Sequence, residues 1–321
     1  MNVGVVALLR ATGQLRGRNR AANLFAQVGR EWQIYLLLSP MVMYLVIFVY
    51  FPMYGVQIAF KNFTPALGIM GSPWAGYKHF VRLVNSPSFQ EIIRNSIVIN
   101  VYTLLVNTPL PIALALMLNY QTRPGFKRLV QTVSYAPYFI STVVLVGMLK
   151  LFLSPRVGVI NKLLELVGVV PVNFLAEPGL FYSIFVWSGT WQKLGWMAII
   201  YIGALTNINP ELHEAGIVDG ATIMQRIRHI DLPGIMSVIV VQLLLNTGGM
   251  LSVGFEKIYL MQNPLNLSVS EVISTYTYKA GLLNAQYSFS AAVDLFNSLV
   301  NFSILLAVNT VVRKISEHSL F

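Results

Sequence analysis

Charged residues are so unevenly spaced along this chain that five windows, 32–60, 95–122, 129–149, 232–255 and 295–312, contain none. Each is close to or above the roughly 20 residues a helix needs to cross a bilayer. A sixth window, 181–205, is interrupted by Lys193 alone. Backbone N–H and C=O groups facing lipid have no water to bond, so long apolar windows of this kind predict helices. β-barrel strands would be shorter and alternating. The expectation is therefore an all-α membrane protein of about six transmembrane helices, with one membrane domain over 32–313, a tail over 1–31 and a tail over 314–321.

Composition agrees with that pattern. The chain has 321 residues, 55% hydrophobic and 11% charged, where soluble domains carry about 25% charged residues. It contains no cysteine, which excludes disulfides, thiolate metal sites and cysteine nucleophiles. The net charge of +10 sits largely on flanking segments, where anionic lipid headgroups account for it better than nucleic acid does. Arg10, Arg16, Arg18, Arg20 and Arg30 precede the first window, and Arg123, Lys127 and Arg128 lie between the second and third. The positive-inside rule places both groups in the cytoplasm, and an even number of spans then leaves both termini there.

The polar stretch 206–233 lies between the fourth and fifth windows and is predicted to face the cytoplasm. Asn209 suits a helix N-cap, Pro210 the first helical position, and Glu211 the positive end of the helix dipole. Gly220 suits a break, after which Ile223, Ile227 and Ile230 recur at helical spacing until Leu232-Pro233. Two short helices joined at a bend are expected. Leu212, Ala215 and Gly216 would form a small-residue face for docking into another protein's groove.

The run Glu214-Ala215-Gly216, Asp219-Gly220-Ala221, Ile230 and Leu232-Pro233 resembles the EAA loop of ABC importer permeases, with Gly216 in place of the second alanine. Gly71-Ser72-Pro73-Trp74-Ala75-Gly76-Tyr77, Gly254-Phe255-Glu256-Lys257-Ile258 and Ser288-Phe289-Ser290 are similar to segments of the carbohydrate subgroup, including the membrane subunits of alginate importers. Asp294 departs from that subgroup, where glycine is commoner. The resemblance implies an inner-membrane permease for oligosaccharides, with the EAA loop as the coupling helix. It implies a second homologous permease as heterodimer partner, two cytoplasmic ABC ATPase subunits that carry ATP and Mg, and an extracytoplasmic solute-binding protein. The chain has no Gly-Lys dipeptide, so a Walker A phosphate loop must come from another polypeptide.

Other candidate chemistry is sparse. His213-Glu214 opens a zinc-protease pattern, but Ile217 stands where the second histidine belongs. His79, His213, His229 and His318 are scattered, with no matching acids in sequence. Lys193 lies near the middle of the fourth span, where a charge costs about 3 kcal/mol and is expected to face the bundle interior or a wet cavity. With Trp191, Asn246, Thr247 and Asn297 it makes up the expected substrate pathway; interface anchoring of Trp191 and helix–helix bonding by the others compete with that role. An ion-coupled secondary sugar transporter would place acids inside its spans, and only Asp294 comes near. A glycan-assembly enzyme would need paired carboxylates or a nucleophile with its base, and neither pattern stands out.

Overall fold

The computed structural model describes residues 32–248 and 254–315; most of both predicted tails lies outside these residues. The named elements among them are helical, and an isolated antiparallel bridge joins Lys61 to Trp74. Among the described residues, three helices are long and apolar enough to cross a membrane: α1 (Trp32–Phe60), α2 (Phe89–Asn119) and the Tyr287–Thr310 part of the last helix. Two bent pairs bring the count to five, α3 (Pro124–Phe139) with α4 (Thr142–Phe152) at 99°, and α7 (Ile223–Gly234) with α8 (Met236–Gly248) at 60°.

The sixth predicted window is α5 (Pro178–Thr206), 29 residues and so about 43 Å long at 1.5 Å per residue. It has the length of a span, while Ser188, Thr190, Gln192 and Lys193 lower its apolarity. Two shorter helices matter for the site, α6 (Pro210–Val218) and α9 (Phe255–Met261). The last helix, α10, runs Tyr287–Ile315.

The chain separates into two units, residues 1–57 and 58–321. In the first, the α1 residues up to Val56 are mostly exposed and apolar, a surface suited to lipid or another subunit rather than water. The second unit is built along α5. Towards its Pro178 end, Phe181, Phe185 and Val186 pack with Ile99 of α2, Val146 of α4 and Ile258 and Met261 of α9. Towards its Thr206 end, Ala198, Tyr201 and Leu205 pack with Ala115 and Leu116 of α2 and with Ile235, with Ile227 and Leu232 of α7 against them. Lys193 falls between these two clusters.

A third cluster joins Leu83, Ile92, Ile273, Phe289 and Val293. It contains Phe289 of the Ser288-Phe289-Ser290 segment. The Phe63 N–H donates to Ser288 Oγ at 2.8 Å, Arg82 donates to Gln286 at 2.8 Å, and its guanidinium lies 4.4 Å from the Phe289 ring centre.

Candidate functional site: a coupling elbow and a lysine-lined cavity

The segment after α5 folds as its local signals predict. The Asn209 side chain accepts from the Glu211 N–H at 3.1 Å, and Pro210 opens α6. At the other end, the Ala221 N–H donates to the Gly216 carbonyl at 2.8 Å and the Gly220 N–H to that of Ile217 at 3.0 Å. This is a Schellman closure, which requires a left-handed residue. Gly220 supplies it at φ +73°. Thr222 and Gln225 then form a capping box that starts α7.

The predicted docking face is divided. Leu212, Glu214 and Ala215 are exposed, but Gly216 turns towards α7. A Cβ at Gly216 would lie 3.5 Å from the side chains of Arg226 and Ile230. Helix spacing puts 212, 215 and 216 near one another, and the fold back of α7 takes the last of them inward. Gly216, Asp219, Gly220, Ala221 and Ile230 line a cleft of about 360 Å³ between the two helices. Leu232 packs into the core and Pro233 is exposed.

Behind this elbow is a latch that sequence reasoning missed. Asp231 is fully buried. The Tyr120 hydroxyl, at the end of α2, donates to Asp231 Oδ2 at 2.7 Å, and His213 Nε2 of α6 lies 3.3 Å from Oδ1. The Arg226 guanidinium stands 5.3 Å from the Tyr120 ring centre. Burial, followed by the hydrogen bond and the charge of Asp231, pushes the Tyr120 hydroxyl up to about 12. His213 therefore does meet an acid, 18 residues away in sequence. The one available signal was an aspartate set in the apolar run Ile230-Asp231-Leu232. The latch ties the elbow to the end of α2 that is followed by Arg123 and, in the first turns of α3, Lys127 and Arg128.

The pathway candidates separate. Lys193 and Asn246 line one cavity of about 220 Å³ with Asn100, Thr103 and Asn107. Trp191 lies instead in an apolar groove with Leu129, Val133 and Leu194, since a two-residue step on a helix points to a different face. Thr247 is buried and bonds to the Leu244 carbonyl at 2.9 Å. Asn297 is buried in α10. A neighbouring cavity of about 310 Å³ is lined by Lys193, Lys257, Glu256, Asn107 and Gln192. Lys257 was not singled out from sequence. Among the described residues, no group of three or more His, Cys, Asp or Glu side chains is placed to hold a metal.

Comparison with known proteins gives this arrangement its context. Residues 107–317 match the family described as binding-protein-dependent transport system inner membrane component. The chain is 38% identical over 304 residues, 95% of each protein, to the polygalacturonan/rhamnogalacturonan transport system permease protein YteP of Bacillus subtilis. It is 38% identical over 302 residues to protein LplB of the same organism, covering 94% of this chain and 95% of LplB. A chain of a bacterial ABC transporter involved in the import of the acidic polysaccharide alginate superposes with a TM-score of 0.86 at 39% identity, covering 92% of this chain and 99% of that one. The match across about two thirds of the sequence, the relatives at 38% identity over nearly the whole chain and the shared helical fold together show that this chain belongs to the binding-protein-dependent inner membrane components, the permease subunits of ABC importers.

Proposed function

We propose that the chain is one half of a permease heterodimer that imports acidic oligosaccharides, driven by two separate cytoplasmic ATPase subunits and fed by an extracytoplasmic solute-binding protein. Relatives support the cargo class: one is named for polygalacturonan and rhamnogalacturonan, another for alginate import, and the latter is also known in complex with an alginate pentasaccharide-bound periplasmic protein. Both termini are cytoplasmic in this reading, and ATP and Mg are held by the partners.

The observation that carries the proposal is the latched elbow. An element that passes force must be stiff and tied at its far end to what it moves. Here α6 presents Leu212, Glu214 and Ala215 outward, while Asp231, Tyr120 and His213 join it to α2. ATPase closure would swing α6, and the latch would carry the swing into the membrane helices, shifting the permease between two states. The elbow also lies at the end of α2 followed by Arg123, Lys127 and Arg128, the side that the positive-inside rule assigns to the cytoplasm.

The test is co-purification with the ATPase and uptake in reconstituted vesicles. Glu214→Lys and Gly220→Trp are expected to lower ATPase association at least tenfold and to abolish uptake, with the membrane domain still folded. Normal association and uptake in both variants would remove the elbow from coupling.

A further inference from the structure

Two lysine side chains line one cavity of the membrane domain, and among the described residues neither forms an ion pair. Phe185, Gly189 and Lys193 are spaced four apart and share a face of α5. Lys257 of α9 is 7% exposed and reaches this face. Its Nζ donates to the Phe185 carbonyl at 2.7 Å and lies 4.7 Å from the Phe185 ring centre. A Cβ on Gly189 would stand 3.1 Å from that nitrogen, so the bare backbone at 189 makes the seat for the ammonium. Lys193, one turn on, lines the same cavity of about 310 Å³.

Neither lysine has an ion-pair partner among the described residues; the pairs formed there are His213 with Asp231 and Lys279 with Glu271. Lys257 is buried while Lys193 is exposed to the cavity, and a buried charge is costly unless an opposite charge joins it. The wall holds one carboxylate, Glu256, which pairs with neither lysine, and the amides of Asn107 and Gln192. This lining offers two cations for an anion and several acceptors for hydroxyl groups. A uronic acid residue carries both, one carboxylate on a ring of hydroxyls.

We infer that Lys193 and Lys257 form a carboxylate-binding station that holds one uronate of an acidic oligosaccharide in transit, with Gly189 keeping the space for the Lys257 ammonium. The inference rests on the import reading above and adds the residues that select the acid. Each ammonium contributes a charge-assisted hydrogen bond that a neutral sugar does not receive.

The experiment uses the whole transporter, with its partners, in vesicles. Uptake and substrate-stimulated ATPase are measured with uronate tetrasaccharides and with their methyl esters, which keep rings and hydroxyls but lose the charges. The wild type is expected to prefer the free acid. Lys193→Met and Lys257→Met are expected to cut free-acid transport at least about tenfold, the scale of one lost charged hydrogen bond, and to leave the ester within twofold. Lys257→Arg retains the preference, and Gly189→Ala weakens it by crowding the ammonium. Equal wild-type transport of acid and ester, or variants that depress both substrates equally, would overturn the station while leaving oligosaccharide import intact. Transport of neither substrate by the wild type would overturn the import reading itself, and the station with it.

Discussion

The elbow and the cavity are both polar interruptions of an apolar protein, and they treat their polar groups in opposite ways. In the elbow, caps, closure and latch supply partners from within the fold: Asn209 with Glu211, Thr222 with Gln225, and Asp231 Oδ2 with Tyr120, while His213 lies 3.3 Å from Oδ1. In the cavity, Lys193 and Lys257 share a wall with one carboxylate, Glu256, and neither lysine forms an ion pair among the described residues. The difference suits the work proposed for each. A lever needs one conformation, which satisfied hydrogen bonds enforce. A cargo station must keep bonding capacity for something that arrives and leaves.

The comparison breaks most clearly at Asp231. Asp231→Ala removes the acid that both Tyr120 and His213 meet, and is expected to cost about 3 kcal/mol, the upper scale of a lost hydrogen bond to a charged group. Thermal unfolding in detergent checks the loss, and the ratio of ATP hydrolysed to sugar imported should rise as coupling fails. Unchanged stability would mean that the latch holds nothing.

Tyr120→Phe should cost less, about 1.5–3 kcal/mol, as a hydrogen bond to a charged group does. It also has a pH signature. A phenol held at about 12 in the fold against 10.0 outside it keeps its proton where the unfolded chain has lost it. The contribution is full below pH 10 and is lost as pH rises towards 12. Unfolding curves across that window should converge for wild type and Tyr120→Phe; curves that stay parallel would contradict the assignment.

On the cavity side the stability effect should vanish or reverse. Lys193→Met is expected to leave the unfolding midpoint unchanged, or raise it by the equivalent of about 1 kcal/mol, because it removes an unpaired charge from mid-membrane. Its cost should appear in transport of acidic sugar. A large loss of stability would identify Lys193 as a structural residue and erase the contrast.

The smallest expected effect sharpens the picture of the elbow. Gly216→Ala places a methyl group in ordinary contact with Arg226 and Ile230 and should stabilise α6 by about 0.5–1 kcal/mol, as glycine-to-alanine changes within helices do. Destabilisation would show that α6 and α7 are closer than the 3.5 Å contacts allow.

Local rules made the elbow readable residue by residue. Asn209, Pro210, Gly220 and the isoleucine spacing act within a turn or two of chain, and the helices begin and break where those signals stand. The turn of half-buried Gly216 towards α7 was not readable, because it depends on how far α7 folds back. The latch and the lysine pair were hidden for a stronger reason: Tyr120 is 111 residues from Asp231 and Phe185 is 72 from Lys257.

By itself, the amino-acid sequence determined the solvent of this protein, its helical character and where the helices of the polar elbow begin and break. These are properties of hydrophobic runs, end caps and single backbone conformations, which short stretches of chain decide on their own. Tertiary structure alone decided which charges were paired and which were left open. Whether an ion in a membrane protein is neutralised depends on the elements that pack across it, and those come from distant parts of the chain.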